Sequence, residues 1–154
     1  MLAFFQWCYQ TPLGEGIRES TWLFPVFEAF HLLGLGVTVG AVLLVDLRLL
    51  GVGLSKQPAA QLASAAQPWL IGSVALMFGT GIPLFLSEAT KCYYSFPFWV
   101  KMTSLLLALL FAFTIRRHVA ATAVPRPGVD RATALTSLVL WFGVAWGGRW
   151  IGFS

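Results

Sequence analysis

The chain reads as an all-α integral membrane protein, a four-helix bundle with a short N-terminal interfacial helix. Three observations predict this. The 154 residues are 58% hydrophobic and only 10% charged, where a soluble domain carries about a quarter charged residues. Four apolar stretches each reach about the 20 residues that a bilayer requires. Between them lie short segments rich in Gly, Pro and charge, too brief to fold alone. One membrane domain over residues 1–154 follows, with no room for a separate soluble catalytic part.

The elements follow in order. Residues 1–20 form the interfacial segment. They do not read as a signal peptide, since a basic start is absent and Gln6, Gln10 and Pro12 interrupt the apolar run. Thr11-Pro12 is a helix start, with Thr as cap and Pro at the first helical position. The stretch 12–19 mixes Leu13 and Ile17 with Glu15, Arg18 and Glu19, the pattern of a helix lying on the membrane. The first span runs from about 21 to 50, opening at Ser20-Thr21-Trp22 and closing near Asp46 and Arg48. A connector over 51–57 contains Gly51, Gly53 and Lys56. The second span covers about 60–87, where Pro83 should kink it. A loop with Glu88, Lys91, Tyr93, Tyr94 and Ser95 leads to the third span, 96–118. The loop 121–130, with Pro125, Pro127 and Gly128, breaks the helix. The fourth span, 131–152, ends near Trp146, Arg149 and Trp150.

Charge sets the orientation. Six of the ten basic residues (Arg48, Lys56, Arg116, Arg117, Arg126, Arg131) fall on one side, and Arg18, Lys91, Lys101 and Arg149 on the other. The richer side is cytoplasmic by the positive-inside rule, which leaves both termini outside, periplasmic in a bacterial inner membrane. The +4 net charge is therefore a topology signal, and nucleic acid is not an expected partner. Trp22, Trp69, Trp99, Trp146 and Trp150 suit the membrane interface. Cys8 and Cys92 are the only cysteines. They can pair or stand as two free thiols, and the absence of a CxxC pattern argues against zinc or c-type haem.

His31 is the candidate functional residue. It lies within the run from Leu23 to Val45, in which Glu28 and Thr38 are the only other polar side chains, and an ionisable group in hydrocarbon is normally kept for a pathway, cofactor or partner. At about 1.5 Å per residue, His31 lies about 13 Å from the outer end of its span, and Lys101 about 8 Å and Arg149 about 5 Å from theirs. Glu28, His31, Glu88, Lys101 and Arg149 thus share the outer half. Asp46, Arg48, Arg116, Arg117 and His118 mark the cytoplasmic interface.

Two readings account for this group. In one, Glu28 pairs with Lys101 and Glu88 with Arg149, pinning helices together in a non-catalytic structural or assembly subunit of a membrane complex. In the other, His31 ligates the iron of haem b, Lys101 and Arg149 meet its propionates, and Gly34 and the glycines of the second span give it room. Gly36-x-x-x-Gly40 reads more readily as a helix-packing motif. His118 lies about 20 Å too deep to share a haem with His31, so a haem there is five-coordinate, takes a non-histidine ligand such as Lys101 or Met77, or shares a ligand with a partner chain. A zinc site or a serine nucleophile lacks the required set of residues.

The segment Phe27-Glu28-Ala29-Phe30-His31, with Val45-Asp46-Leu47-Arg48-Leu49-Leu50 and the start Thr11-Pro12-Leu13-Gly14, resembles small four-span bacterial membrane proteins of uncharacterised function. More distantly, His31 with Phe98-Trp99-Val100-Lys101 and Arg117-His118 is similar to HemJ-type protoporphyrinogen oxidases. That resemblance implies His31 as haem b ligand and Lys101 as a functional cation, while Glu28 and Asp46-Leu47-Arg48 depart from it. CopD-like copper-resistance proteins share a similar helical plan, but this chain lacks their expected metal-binding richness. The expected function is electron transfer near the outer face, with a quinone or periplasmic redox protein as partner, in a homo-oligomer or larger complex.

Overall fold

A computed structural model describes residues 1–53, 56–122 and 124–152. Leu54 and Ser55 of the 51–57 connector, Ala123 of the 121–130 loop, and Phe153 and Ser154 lie outside it. Every element among the described residues is helical. In order these are α1 (Leu2–Tyr9), α2 (Pro12–Glu19), α3 (Leu23–Leu50), α4 (Ala59–Ser87), α5 (Ala89–Tyr94), α6 (Phe96–Phe111), a π-helical segment (Ala112–Arg116), α7 (Arg117–Ala121) and α8 (Pro127–Ile151). The stretch Phe96–Ala121 forms one continuous rod.

Three of the long helices, Leu23–Leu50, Ala59–Ser87 and Phe96–Ala121, are long and apolar enough to cross a membrane. Their outward faces are apolar: Leu32, Leu33, Leu106 and Leu110 are all more than half exposed. Water would penalise such a surface, and lipid tails solvate it. The fourth long helix, α8, falls short of the same hydropathy. Arg131 and Arg149 bracket its apolar stretch, which Thr, Ser, Gly and Trp dilute.

The span boundaries agree with the sequence to within a few residues at most ends. Ser20 Oγ accepts from the Leu23 N–H at 3.2 Å at the start of α3, whose N-cap position is Trp22. Gly51 ends that helix in the left-handed region, φ 79°, which glycine adopts without strain. Two expected loops are partly helical. Residues 89–94 form α5. Pro127-Gly128, expected in a loop, opens α8, because proline is favourable at a first helical position and Asp130 Oδ2 accepts from the Arg126 N–H at 3.0 Å.

The N-terminal segment differs from the single surface-lying helix that its sequence suggests. It forms two helices, and both pack on protein. Thr11 caps α2 as expected, accepting from the Gly14 N–H at 3.3 Å. Gly14 lets α2 sit directly on α4, where an added Cβ would lie 2.6 Å from the Leu86 carbonyl oxygen. Ile17 is almost fully buried. Arg18 clamps the arrangement, donating to Tyr9 O and Ser87 O, both at 3.1 Å, with its guanidinium 3.7 Å above the Tyr9 ring. Phe5 and Cys8 of α1 share a core cluster with Ala89, Cys92 and Phe98. Cys8 and Cys92 are free, buried thiols.

The long helices pack α3 on α4, α6 on α8 and α3 on α8. The packing glycines are not the pair that the sequence motif suggested. Gly36 and Gly40 have open space where a side chain would go. The tight α6–α8 crossing uses Gly143 and Gly147, where an added Cβ would lie 2.5 Å from Ser104 Oγ and 2.7 Å from the Pro97 carbonyl oxygen. This is a small-xxx-small crossing on helices other than the one expected.

Candidate functional site

His31 lies on the face of α3 that meets α4 and is half-buried. Its Nδ1 is 3.0 Å from Thr80 Oγ1. The Thr80 hydroxyl is itself 2.8 Å from the Leu76 carbonyl. A threonine has one proton to give, and a carbonyl can only accept. The Thr80 proton therefore goes to Leu76, and His31 Nδ1 is the N–H that donates to Thr80. A neutral ring in that tautomer keeps its lone pair on Nε2. Gly81 lies against the ring edge, where an added Cβ would come 3.0 Å from Cε1.

Lys101, on α6, is near enough to the imidazole to act on it electrostatically. Its aliphatic chain runs along Gly147 and Gly148 of α8. The structure therefore brings together His31, Thr80 and Lys101. Glu28 is exposed one turn outward, and Arg149 is exposed near the end of α8. Among the described residues Glu28 and Lys101 form no ion pair.

Gly34 has a different role from the one expected. It faces α4, where an added Cβ would lie 3.1 Å from Met77 Cγ, so the space beside it is filled. Met77 is itself engaged, its sulfur 3.5 Å from the Thr38 hydroxyl. Thr38 also meets Ser73 Oγ at 2.8 Å and the Gly34 carbonyl at 2.9 Å. Gly34 and Met77 thus belong to the α3–α4 seam.

The largest departure lies at the other end. Asp46 and Arg116, expected at the membrane interface, form the one ion pair among the described residues, with Arg116 Nε 2.7 Å from Asp46 Oδ1 and side-chain exposures of 7% and 0%. Arg116 also donates to the Val42 carbonyl at 3.1 Å. Asp46 lies one turn beyond Val42 on the buried face of α3, a signal available in the apolar pattern. Arg116 was less accessible to sequence reading. Each step of four residues in a regular helix drifts about 40° around the axis. The wider π turn over Ala112–Arg116 offsets that drift, and Ala108, Ala112, Arg116 and Ala120 are all buried.

No group of three or more His, Cys, Asp or Glu residues that could hold a metal ion occurs among the described residues. The site thus belongs to an all-helical membrane protein with a single imidazole set into a helix seam. Residues 4–154 match the family of unknown function DUF6644, and the chain belongs to it. No curated protein and no solved structure matches the chain.

Proposed function

We propose that this is a haem b-binding protein of the bacterial inner membrane that passes electrons near the outer face. The single observation that supports this reading is the His31–Thr80 hydrogen bond, 3.0 Å long. Haem-ligating histidines are oriented in this way, one ring nitrogen fixed by a hydrogen bond and the other left to bind the metal. The donor set offers one iron ligand: His31 Nε2 would hold the iron and Lys101 would serve a propionate. Arg149 and Glu28 lie at the outer margin, and Gly34 takes no part. Bound haem b would supply reversible one-electron chemistry, with a quinone or periplasmic redox protein as the exchange partner. In this reading α8 completes a four-span bundle, with both termini periplasmic and the α1–α2 pair at the outer membrane surface.

The experiment is a reduced-minus-oxidised visible spectrum of protein purified in mild detergent, on wild type, His31→Ala and Thr80→Val. A b-type spectrum lost in His31→Ala is expected. Thr80→Val should keep the spectrum but weaken haem retention by about 10–100-fold, the usual cost of removing a ligand's supporting hydrogen bond. Colourless, well-folded wild type from cells with ample haem overturns the proposal.

The buried Asp46–Arg116 pair favours a second reading, a non-catalytic subunit of a membrane complex whose charges pair helices. It predicts colourless protein that co-purifies with larger subunits.

A further inference from the structure

The +4 net charge is not spread over the molecule. In the half that holds His31, Arg18, Lys91, Lys101 and Arg149 balance Glu15, Glu19, Glu28 and Glu88. In the half that holds α7, Arg48, Lys56, Arg116, Arg117, Arg126 and Arg131 face only Asp46 and Asp130. The whole excess therefore sits at one end. There Asp46 is committed to Arg116, and Asp130 accepts from the Arg126 N–H. Arg117 is exposed and forms no ion pair among the described residues.

Arg117 also lines a crevice walled by α3, α4, the π turn and α7. Its polar lining residues are Gln67, Arg116 and Arg117, and the rest are apolar, five of them alanines. Ala112, Phe113 and Arg116 come from the π turn, a distortion that is frequent at functional sites. At about 1.5 Å per residue, Arg117 lies about 6 Å from the end of α7 and Gln67 about 12 Å from the start of α4. An arginine at that depth extends its head to the lipid headgroups, while Gln67 lies deeper.

The chemistry of the crevice selects its guest. A small soluble anion would engage Arg117 and leave the alanine wall idle. A neutral lipid would cover the wall and leave the arginine charge unmatched. An anionic phospholipid uses both. Its phosphate accepts charge-assisted hydrogen bonds from Arg117, its deeper ester carbonyls accept from the Gln67 carboxamide, and an acyl chain covers the alanines. Arg116 lines the same crevice with its charge matched by Asp46, so Arg117 supplies the net positive charge.

We propose that the crevice between α4 and the π turn binds one anionic phospholipid, held by Arg117 and Gln67 and seated along Ala63 and Ala112. The proposal does not involve His31 and is independent of the haem reading.

The test is native mass spectrometry of the full chain in detergent, titrated with dioleoylphosphatidylglycerol or dioleoylphosphatidylcholine. The first phosphatidylglycerol is expected to bind more tightly than phosphatidylcholine. Arg117→Gln should weaken it about five-fold, the effect of one cation near an anionic headgroup. Arg131→Gln removes the same charge outside the crevice and should change it little. Ala63→Leu fills the crevice and should also weaken binding. Should that variant fail to fold, glycerophosphoglycerol, the headgroup without its chains, takes its place as a competitor and should compete poorly. Equal affinity for the two lipids, or equal losses in Arg117→Gln and Arg131→Gln, leaves only diffuse surface attraction and overturns the proposal. Unchanged binding in Ala63→Leu, or displacement by glycerophosphoglycerol or millimolar inorganic phosphate, shows a headgroup-sized anion site without the crevice and overturns it too.

Discussion

At the scale of single residues, the strongest local commitments are buried polar groups. Removing one partner of a buried pair leaves the other charge uncompensated, typically at about 3–5 kcal/mol, whereas an apolar replacement of both is often neutral. Arg116→Leu should therefore lower the thermal midpoint in detergent well below that of the Asp46→Leu/Arg116→Leu double variant. Equal losses would show that the pair is not the unit of stability. Cys92 offers a pH prediction. Burial, and next the Glu88 carboxylate, push its thiol up to about 11. The thiolate is the reactive form, so alkylation of Cys92 in folded protein should be negligible near neutral pH and rise only in strong alkali. The sign for stability follows. An acid held above its unfolded value of about 9 favours folding while it is protonated in both states. Its contribution is present below that pH and fades as pH climbs towards 11. Midpoints of wild type and Cys92→Ala across that range check this, since only wild type should show the added fall.

At the scale of elements, glycine placement decides how closely the helices approach. Gly147→Val puts a side chain into the Pro97 carbonyl and the Lys101 backbone nitrogen, neither of which can yield cheaply. It should disrupt the α6–α8 crossing and give aggregated or protease-sensitive protein. Gly36→Ala and Gly40→Ala meet open space and should leave the monomer's thermal midpoint unchanged. Destabilisation by these exposed changes would mean that the face is covered in the working assembly. The N-terminal pair makes a smaller claim. Thr11→Ala removes a capping acceptor, worth about 1 kcal/mol, and should loosen α2 from α4, read as faster proteolysis near Gly14.

At the scale of the whole molecule, the proposed orientation rests on the uneven basic residues. Six of ten sit at the end that holds the 51–57 connector and α7. A C-terminal reporter active only in the periplasm should therefore be active. Moving the bias by adding lysines after Ser20 should reduce that signal. An inactive reporter on the unmodified chain would place the termini inside and overturn the proposed orientation, and with it the outer-face placement of His31.

The sequence by itself determined the all-helical class, three membrane-length helices close to their expected bounds, the Thr11 cap and the seating of His31 within a span. These follow from composition, run length and cap chemistry, which are properties of neighbouring residues. The tertiary structure decided which polar groups meet. Gly34 became packing surface because Met77 faces it, and Gly36 and Gly40 turned outward. The expected Glu28–Lys101 pair did not form, and Asp46 met Arg116 instead. Each outcome depends on the rotation of one helix against another. A sequence carries that rotation only as a regular wheel, and the π turn at Ala112–Arg116 departs from that wheel.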